Sequence, residues 1–387
     1  MGDRRHLAIV GDGAVAAAFL AIARLVPGDR LTLIGPNVGR FGAGRFYADH
    51  DVRQPWRLAY LLDRPNGEMA EGFADWLAGE WPALLPEIAA AQPLHLRRWS
   101  EALSEGAFGD FSAPRAIYGR FLAERNAVRL AQLVEGGVQV RLITGLATDL
   151  SRAEEQFRIT LANGEVVRAD RVDVATGGPA NQRFGADAGP TAFTTLHGNE
   201  EAIAEVLRPG WEVTCLGAST EVLDVMHFLR SAAPNEEVRL RVLRDRVTPA
   251  LDGDPEYRRL RAAGRVVEEV GRAIWVYAEA AGNVRLRITG KECQSQEKTV
   301  TLAINTTGPG DQLLVDFLVS GMISKGWLKL NAAQNRIDVD AGFATEIDGV
   351  RYASDAVAAL KLRPGGVVGQ RVEELVRSLE GDPVEAT

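Results

Sequence analysis

The feature that most constrains this chain is a glycine turn near its N-terminus. Gly11-Asp12-Gly13-Ala14-Val15-Ala16 fits the pattern G-x-G-x-x-G/A and stands between an apolar run, Leu7 to Val10, and an Ala- and Leu-rich stretch, Ala14 to Leu25. The run predicts a strand and the stretch predicts a helix. The first glycine permits a tight turn, the second lets a pyrophosphate approach the backbone, and the small third residue lets helix and strand pack closely.

Phosphates bind at the N-terminus of such a helix because free N–H groups and the helix dipole favour anions. The turn therefore predicts nucleotide binding at Gly11, Gly13, Ala14 and Ala16. A plain strand-to-helix turn is the alternative, since short motifs also occur by chance.

The end of the second predicted strand lacks a residue that such a site usually has. Leu31 to Ile34 predicts a strand that completes a βαβ opening. An acidic side chain is expected at its end, where it binds ribose hydroxyls, but this chain has Gly35 there. Three explanations stay open: Asn37 or a backbone group substitutes, the cofactor binds differently, or the site has decayed.

Composition excludes several classes of protein. The 387 residues suggest two to three domains, and 46% hydrophobic with 25% charged residues is ordinary for a globular chain. A net charge of −8 and a pI near 5.4 argue against a general nucleic-acid binder. No apolar stretch reaches the roughly 18–20 residues of a membrane span, so no membrane partner is expected.

Cysteine and histidine offer little chemistry. The two cysteines, Cys215 and Cys293, lie far apart and form no CxxC pair, which predicts a reducing compartment, the cytoplasm. Cys215 falls in a predicted buried strand and is interpreted as a core residue. The five histidines lack metal-ligand spacing, so no metal site is expected.

The chain carries a second βαβ opening. Val213 to Leu216 predicts a strand, Thr220 to Leu229 a helix and Val238 to Leu243 the next strand. Between the two openings, 41–125 has an irregular pattern rich in aromatics and is expected to be a packed, loop-rich region that leads into a helix over 116–133. Asn163-Gly164 predicts a hairpin between strands at 157–161 and 166–169. Gln370 to Leu379 predicts a terminal helix.

Several stretches in order carry a family resemblance. Besides the first glycine turn, they are Gly42 to Ala48, Pro114 to Gly119, Val174 to Gly177, Leu216 to Ser219 and Asn305 to Gly310. In these the chain resembles the two-dinucleotide-domain FAD/NAD(P)-binding oxidoreductases, which include flavin-dependent monooxygenases and pyridine-nucleotide reductases, and most of all a poorly characterised bacterial branch. Its C-terminal part is less similar.

The resemblance implies an α/β fold, with a Rossmann-like FAD-binding domain at 1–195 and 306–387 and an inserted Rossmann-like NAD(P)-binding domain at 196–305. It implies FAD on the first unit, with Thr176, Gly177, Gly308 and Pro309 in the segments that return the chain to the flavin domain. It makes Arg45, Tyr47, Arg115 and Tyr118 candidate neighbours of flavin or substrate. For these four, surface ion pairing or packing is the alternative role.

The second glycine turn departs from the family pattern. It reads Gly217-Ala218-Ser219, with Val222 at the third small position, so a side chain stands where phosphate needs bare backbone. Ser219 can instead donate a hydrogen bond to phosphate. Arg244 and Arg246 follow the next strand, where an arginine meets the 2′-phosphate of NADP. Binding of NAD(P)H here and a merely solvated strand end both remain open.

The resemblance implies a flavin oxidoreductase, more specifically a monooxygenase, in which NAD(P)H reduces the flavin and O2 is used to oxygenate a small molecule. One alternative is a flavin or nicotinamide reductase or dehydrogenase that does not activate oxygen. Another is a non-catalytic protein with a degenerate cofactor site, motivated by Gly35 and Ser219. Catalytic residues and oligomeric state are left undetermined.

Overall fold

The structure is a computed structural model. It describes residues 5–48, 53–62, 64–177, 189–244, 248–279, 282–290, 294–307, 316–331, 336–354 and 357. The chain forms two compact units. Unit 1 comprises 1–51, 61–179 and 313–387, and unit 2 comprises 52–60 and 180–312. The functional boundaries at 195/196 and 305/306 stay predictions.

Unit 1 begins with the βαβ opening expected from the sequence. Its first elements are β1 (His6–Val10), α1 (Ala14–Ala21), β2 (Arg30–Gly35), α2 (Phe73–Ala91), α3 (Pro93–Ser104), α4 (Arg115–Glu135), β3 (Gln139–Thr144), β4 (Ala147–Ala153), β5 (Gln156–Leu161), β6 (Val166–Ala169) and β7 (Arg171–Val174). Short 3₁₀ turns cover Val38–Arg40 and Asn66–Glu68. The predicted helix from Ala14 ends at Ala21, earlier than expected.

The region 41–125 differs from the expectation of an irregular, loop-rich segment, because α2 and α3 lie in it. Phe73, Leu77, Leu84 and Ile88 form the buried stripe of α2, the spacing that a helix requires to pack on one face. Pro82 and Pro86 lie inside the helix on its exposed side. Proline normally interrupts a helix, and for that reason the sequence pattern did not indicate one.

Unit 2 has its own α/β core. Its elements are β8 (Ala192–Phe193), α5 (Glu200–Val206), β9 (Val213–Leu216), α6 (Glu221–Ala232), β10 (Leu240–Arg244), α7 (Pro249–Gly253), α8 (Pro255–Ala262), β11 (Val266–Val270), β12 (Arg272–Ala278), β13 (Val284–Thr289), β14 (Ser295–Val300) and β15 (Leu302–Asn305).

The chain then returns to unit 1. The returning elements are α9 (Phe317–Ser324), β16 (Lys329–Leu330), β17 (Ile337–Asp338) and β18 (Val350–Tyr352), with a 3₁₀ turn at Ala341–Phe343. The predicted helix at 370–379 lies outside the described residues.

Each unit is built on a parallel sheet. In unit 1 the strand order is β18-β7-β1-β2-β3, and in unit 2 it is β11-β10-β9-β15-β8. All neighbours in both sheets pair in parallel. Each unit also carries a three-stranded antiparallel sheet, β4-β5-β6 or β12-β13-β14. The predicted hairpin is β5 and β6.

The two parallel sheets confirm the expected fold class, α/β with two Rossmann-like units. Parallel strands are buried on both faces, and their residues are accordingly apolar. In β1 and β2 the residues from Leu7 to Val10 and from Leu31 to Ile34 are buried. The carboxyl ends of β1, β2 and β7 lie side by side in unit 1, because these strands are adjacent and parallel.

Candidate cofactor site

The first glycine turn lies where β1, β2 and β7 end. Gly11 has φ = +120°, and a Cβ on it would lie 2.1 Å from the carbonyl oxygen of Ala175. Its N–H donates to Ile34 O at 2.8 Å, and the N–H of Ala175 donates to Val10 O at 2.7 Å. Only glycine fits this close backbone crossing, so the turn is fixed by its neighbours on both sides.

The N-terminus of α1 follows this turn and has no side-chain cap. Gly13 is its N-cap with extended backbone and makes no side-chain hydrogen bond, and the first turn of the helix contains no acidic residue. Ala14 begins the helix, and Ala16 is fully buried against the sheet. An uncapped helix start without negative charge is suited to an anion, because the first N–H groups have no partner within the helix.

The segment 42–44 closes over the turn. The N–H groups of Gly42 and Gly44 donate to Asp12 O at 2.8 and 3.1 Å. A Cβ on Gly44 would lie 2.7 Å from the Cα of Gly13. The two backbones therefore touch, and the predicted residue Arg45 follows directly and is exposed.

The next residues pack against the start of α4. The guanidinium of Arg115 lies 4.4 Å from the centre of the Phe46 ring. The rings of Tyr47 and Tyr118 meet edge to face with centroids 5.0 Å apart. Arg115 and Tyr118 are both buried. The stretches 42–48 and 114–119, far apart in sequence, are thus neighbours.

Thr176 and Gly177 lie just past the end of β7. The Oγ1 of Thr176 is buried and has no hydrogen-bond partner among the described residues. A buried hydroxyl without a partner is rare, because it loses its bonds to water and gains nothing in return. Gly177 has φ = +92°. Thr176 follows Ala175, which contacts Gly11, so its hydroxyl belongs to the same edge of the sheet.

These features fit FAD, whose pyrophosphate needs bare backbone and N–H donors. The Gly13–Gly44 contact offers the bare backbone, the start of α1 offers N–H groups, and Thr176 offers a hydroxyl. The structure therefore brings together most of the predicted residues of unit 1, namely Gly11, Gly13, Ala14, Ala16, Arg45, Tyr47, Arg115, Thr176 and Gly177. Their direct contact with a cofactor stays a prediction.

Asp12 is the residue of this site that the sequence pattern did not single out. It is 7% exposed, and its Oδ2 accepts the backbone N–H of Asn37 at 2.5 Å. Burial raises the pKa of this carboxyl above its usual range, while the Asn37 N–H opposes that shift. The signal available in the sequence was an acid inside the glycine motif combined with a glycine at 35.

The second glycine turn, in unit 2, makes more hydrogen bonds of its own. A Cβ on Gly217 would lie 2.7 Å from the Cα of Thr307. The N–H of Ser219 donates to Thr306 O at 3.2 Å, and Ser219 Oγ accepts the N–H of Glu221 at 3.2 Å. Val222 is fully buried in the core of unit 2. The side-chain oxygen of Ser219, which precedes the N-cap Thr220, thus accepts an N–H at the start of α6, whereas α1 has no side-chain cap hydrogen bond.

The first turn of α6 also carries negative charge. Glu221 and Asp224 both lie in it. Glu221 Oε1 accepts from Thr195 Oγ1 at 2.9 Å and from the Leu196 N–H at 3.1 Å, and Asp224 Oδ2 lies 3.1 Å from His197 Nε2. Negative charge in the first turn of a helix opposes the binding of a phosphate at that helix N-terminus.

Arg244 ends β10, as expected, but it is held by acids. Its guanidinium donates to Asp252 Oδ2 at 2.7 Å and to Glu268 Oε1 at 2.6 Å. The hydrogen bond with Asp252 and the charge of Glu268 raise the pKa of Arg244. Arg261 contacts the same two acids at 3.1 and 3.3 Å. The predicted residues Arg246, Gly308 and Pro309 lie outside the described residues.

No thiol or metal chemistry is evident in the described residues. Cys215 is fully buried in β9, and burial raises the pKa of its thiol, as expected for a core residue. The described part of the chain holds no group of three or more His, Cys, Asp and Glu side chains placed to bind one metal. Within the same residues, the helices lack the combined length and apolar character that spanning a membrane demands.

Comparison with known proteins agrees with this geometry. Residues 8–179 match the model of a protein family described as FAD-NAD(P)-binding. Among curated proteins, none matches the sequence significantly. The matched residues contain the whole candidate site of unit 1.

Solved structures share the fold over nearly the whole chain. The ornithine N-hydroxylase of Kutzneria sp. 744, solved with reduced FAD, NADP⁺ and L-ornithine, has a TM-score of 0.59 at 13% identity, covering 98% of this chain and 99% of that one. The lysine monooxygenase of Nocardia farcinica has a TM-score of 0.58 at 13% identity, covering 96% and 99%. The thioredoxin reductase of T. acidophilum has a TM-score of 0.56 at 12% identity, covering 98% and 100%.

At these identities the structural likeness establishes the fold alone. The family match gives residues 8–179 their cofactor class. Residues 8–179 therefore match a FAD-NAD(P)-binding family, and the whole chain has a fold that it shares with the ornithine N-hydroxylase and thioredoxin reductase structures.

Proposed function

We propose that the protein is a FAD-dependent, NAD(P)H-using monooxygenase that acts on a small molecule. Unit 1 holds FAD and unit 2 takes NAD(P)H. The observation that carries the flavin assignment is the uncapped start of α1 at the same sheet edge as the buried Thr176 hydroxyl, which has no hydrogen-bond partner among the described residues. This arrangement leaves donors for an anionic ligand at one edge of the unit 1 sheet.

FAD, when bound, supplies the redox chemistry, and the protein supplies position and electrostatics. The N–H groups at the start of α1 bind the pyrophosphate, and Gly13 and Gly44 allow its approach. The hydroxyl of Thr176 donates a hydrogen bond to the flavin half of FAD. Arg115, which is buried beside Phe46, adds positive charge to a site that takes an anion.

The cysteine content favours oxygenation over disulfide reduction. The chain has only two cysteines, at 215 and 293, and Cys215 is buried with a raised thiol pKa. Dithiol exchange needs an accessible thiolate with a second thiol close to it. A role like that of the thioredoxin reductases of this fold would need such a pair, whereas a monooxygenase needs none.

A second candidate is an oxidoreductase that does not activate oxygen, or a protein that binds a cofactor without turnover. It is favoured by the second glycine turn, where Ser219 Oγ accepts the Glu221 N–H and Glu221 adds negative charge to the first turn of α6. Weak binding of NAD(P)H would follow, because two of the expected phosphate donors, the N–H groups of Ser219 and Glu221, already have acceptors.

Oxygen consumption and NAD(P)H oxidation separate the monooxygenase, the reductase and the non-catalytic protein. The protein, loaded with FAD, is given NADH or NADPH in an oxygen-electrode cell, with a panel of small amines and amino acids added one at a time. Uptake of O2 that rises with one substrate, with one oxygen atom recovered in the product from ¹⁸O2, supports the monooxygenase. Oxidation of NAD(P)H that occurs equally without O2, using an artificial acceptor, supports the alternative reductase. No reaction with either nucleotide supports the non-catalytic protein.

A further inference from the structure

The carboxyl group of Asp12 lies where a side chain at residue 35 would begin. A Cβ built on Gly35 would lie 2.7 Å from Asp12 Oδ2 and 2.7 Å from Asp12 Cβ. Gly35 is the last residue of β2, the position from which an acidic side chain is expected to reach the ribose hydroxyls. The space of the missing acid is thus filled by another acid, from the neighbouring strand end.

The backbone fixes Asp12 in this orientation. Its carbonyl oxygen accepts two N–H groups, from Gly42 and Gly44. Its Oδ2 accepts the N–H of Asn37, two residues past Gly35. The backbone of Asp12 is therefore fixed by the 42–44 segment, and its carboxyl is held at the end of β2 by the Asn37 N–H.

The surroundings of Asp12 leave its charge without a cation. It is 93% buried, and within the described residues neither a salt bridge nor a nearby basic side chain compensates it. Burying a carboxylate without a charged partner is costly. Ligand hydroxyl groups would supply the missing donors, and a ribose diol presents two of them side by side.

We propose that Asp12 provides the carboxylate that binds the ribose hydroxyls of the adenosine half of FAD, in place of the acid absent at residue 35. This inference rests on the proposed binding of FAD by unit 1. It also explains Gly35, because any side chain there would collide with the Asp12 carboxyl. Of the three explanations open for Gly35, the proposal is closest to the first, with Asp12 as the substituting group in place of Asn37.

The test measures dissociation constants of flavins for the flavin-free protein by quenching of flavin fluorescence. FAD is compared with an analogue that lacks the 2′-hydroxyl of the adenosine ribose. One hydrogen bond to a charged acceptor predicts that the natural chain binds the analogue about 10-fold or more weakly. Asp12→Asn keeps the shape of the side chain and the Asn37 contact. It should raise the FAD dissociation constant about 10-fold and reduce the ratio between the dissociation constants of the analogue and FAD to about 2.

Two further variants make the test specific. The double variant Asp12→Gly with Gly35→Asp returns the acid to β2 and should restore much of the discrimination. Asp29→Asn is the matched control, because Asp29 is also a buried acid that accepts backbone N–H groups, from Arg5 and Val26 at the opposite end of β2. It should leave the discrimination of the natural chain unchanged.

Each outcome decides the inference. Equal affinity of the natural chain for FAD and the analogue would overturn it without any variant, while FAD binding itself still supports the proposed function. An Asp12→Asn variant that binds FAD as the natural chain does, or more tightly, would also overturn it. Failure of the natural chain to bind FAD at all contradicts the proposed function and this inference together.

Discussion

The carboxyl oxygen Oδ2 of Asp12 lies 2.7 Å from the place of a Cβ on Gly35. An acid in the glycine turn and a glycine at the end of the next strand therefore depend on each other. This steric relationship accounts for the glycine at residue 35, where the dinucleotide pattern leads one to expect an acid. Moving the acid from residue 12 to residue 35 therefore requires a change at both positions.

The hydroxyl of Thr176 should matter for flavin binding and not for folding. Thr176→Val removes a buried oxygen that has no partner among the described residues. We expect the free energy of unfolding of the flavin-free protein to stay within about 1 kcal/mol or to rise slightly. The FAD dissociation constant should increase about 5- to 10-fold, since one neutral hydrogen bond is lost.

Thr214→Val is the matched control, because Thr214 Oγ1 is likewise buried with no hydrogen-bond partner in the described part of the chain but lies in β9 of unit 2. Both variants are measured by urea denaturation and by FAD titration. Equal FAD affinities for the two variants would show that the Thr176 hydroxyl does not face the cofactor.

Asp12 should make the flavin-free protein less stable as pH rises. Burial raises its pKa in the folded state, so the stability that this group contributes is present below its unfolded pKa, about 3.9, and is lost as pH rises through the folded pKa. Asp12→Asn does not titrate there. We therefore expect the free energy of unfolding of Asp12→Asn, relative to that of the natural chain, to be higher at pH 7 than at pH 4. Urea denaturation of the flavin-free proteins at both pH values measures this difference. A variant that gains nothing between these pH values would contradict the burial of an ionised Asp12.

Gly119 should be required for the packing of α4. Its Cβ would lie 1.8 Å from Tyr47 O. Gly to Ala in a helix is otherwise favourable by up to about 1 kcal/mol, but overpacking costs about 1–3 kcal/mol and displaces the 42–48 segment. We expect Gly119→Ala to lower the free energy of unfolding and to weaken the binding of FAD. Gly39→Ala, which meets nothing within 4 Å, serves as the control and should stay within about 0.5 kcal/mol. If the two variants behaved alike, the close contact of α4 with Tyr47 would be refuted.

The ion pair between Asp173 and Arg351 should be a main stabilising contact of unit 1. Arg351 Nε donates to Asp173 Oδ1 at 2.7 Å and Nη2 to Oδ2 at 2.5 Å, on paired strands β7 and β18. Asp173 is fully buried. Among the described residues, Arg351→Met leaves the Asp173 carboxylate with Arg171, 3.6 Å away, as its remaining ion-pair partner, and should lower the free energy of unfolding by about 3–5 kcal/mol.

Adding Asp173→Leu to Arg351→Met should recover most of that loss, because an apolar pair of similar volume replaces the buried ions. Arg141→Met is the control, since Arg141 forms an exposed pair with Glu165 and should cost at most about 1 kcal/mol. Urea denaturation of the three variants gives the comparison. A cost of Arg351→Met no larger than that of Arg141→Met would count against the buried pair.

The sequence predicted those parts of the fold that depend on local signals. Gly11 and Gly217 both have φ above +100°, so the turns needed glycine and were visible in the pattern. Asn163-Gly164 likewise predicted the β5–β6 hairpin. Helix α2 escaped prediction because Pro82 and Pro86 interrupt the usual helix pattern, although Phe73 of its buried stripe packs against Phe121.

The candidate site was predictable only in part for a similar reason. The sequence places three of the site residues just after predicted strands, at the sheet edge where ligands bind in such folds. They are Gly11, Gly13 and Thr176. The role of Asp12 depends on a contact with Gly35 across two strands, and Ser219 acquires its role from the N–H of Glu221. Likewise, Arg244 has the expected position, but the two acids that hold it come from α7 and β11. Such relationships arise from tertiary contacts that no local pattern encodes.

Binding of FAD by unit 1 is the central claim, and an absorbance spectrum tests it most directly. The purified protein is incubated with FAD, freed of excess by gel filtration and scanned. The account predicts retained bands near about 370 and 450 nm, the general signature of oxidised flavin cofactors, with weaker retention in Thr176→Val. A flat spectrum after reconstitution of the correctly folded protein would contradict it.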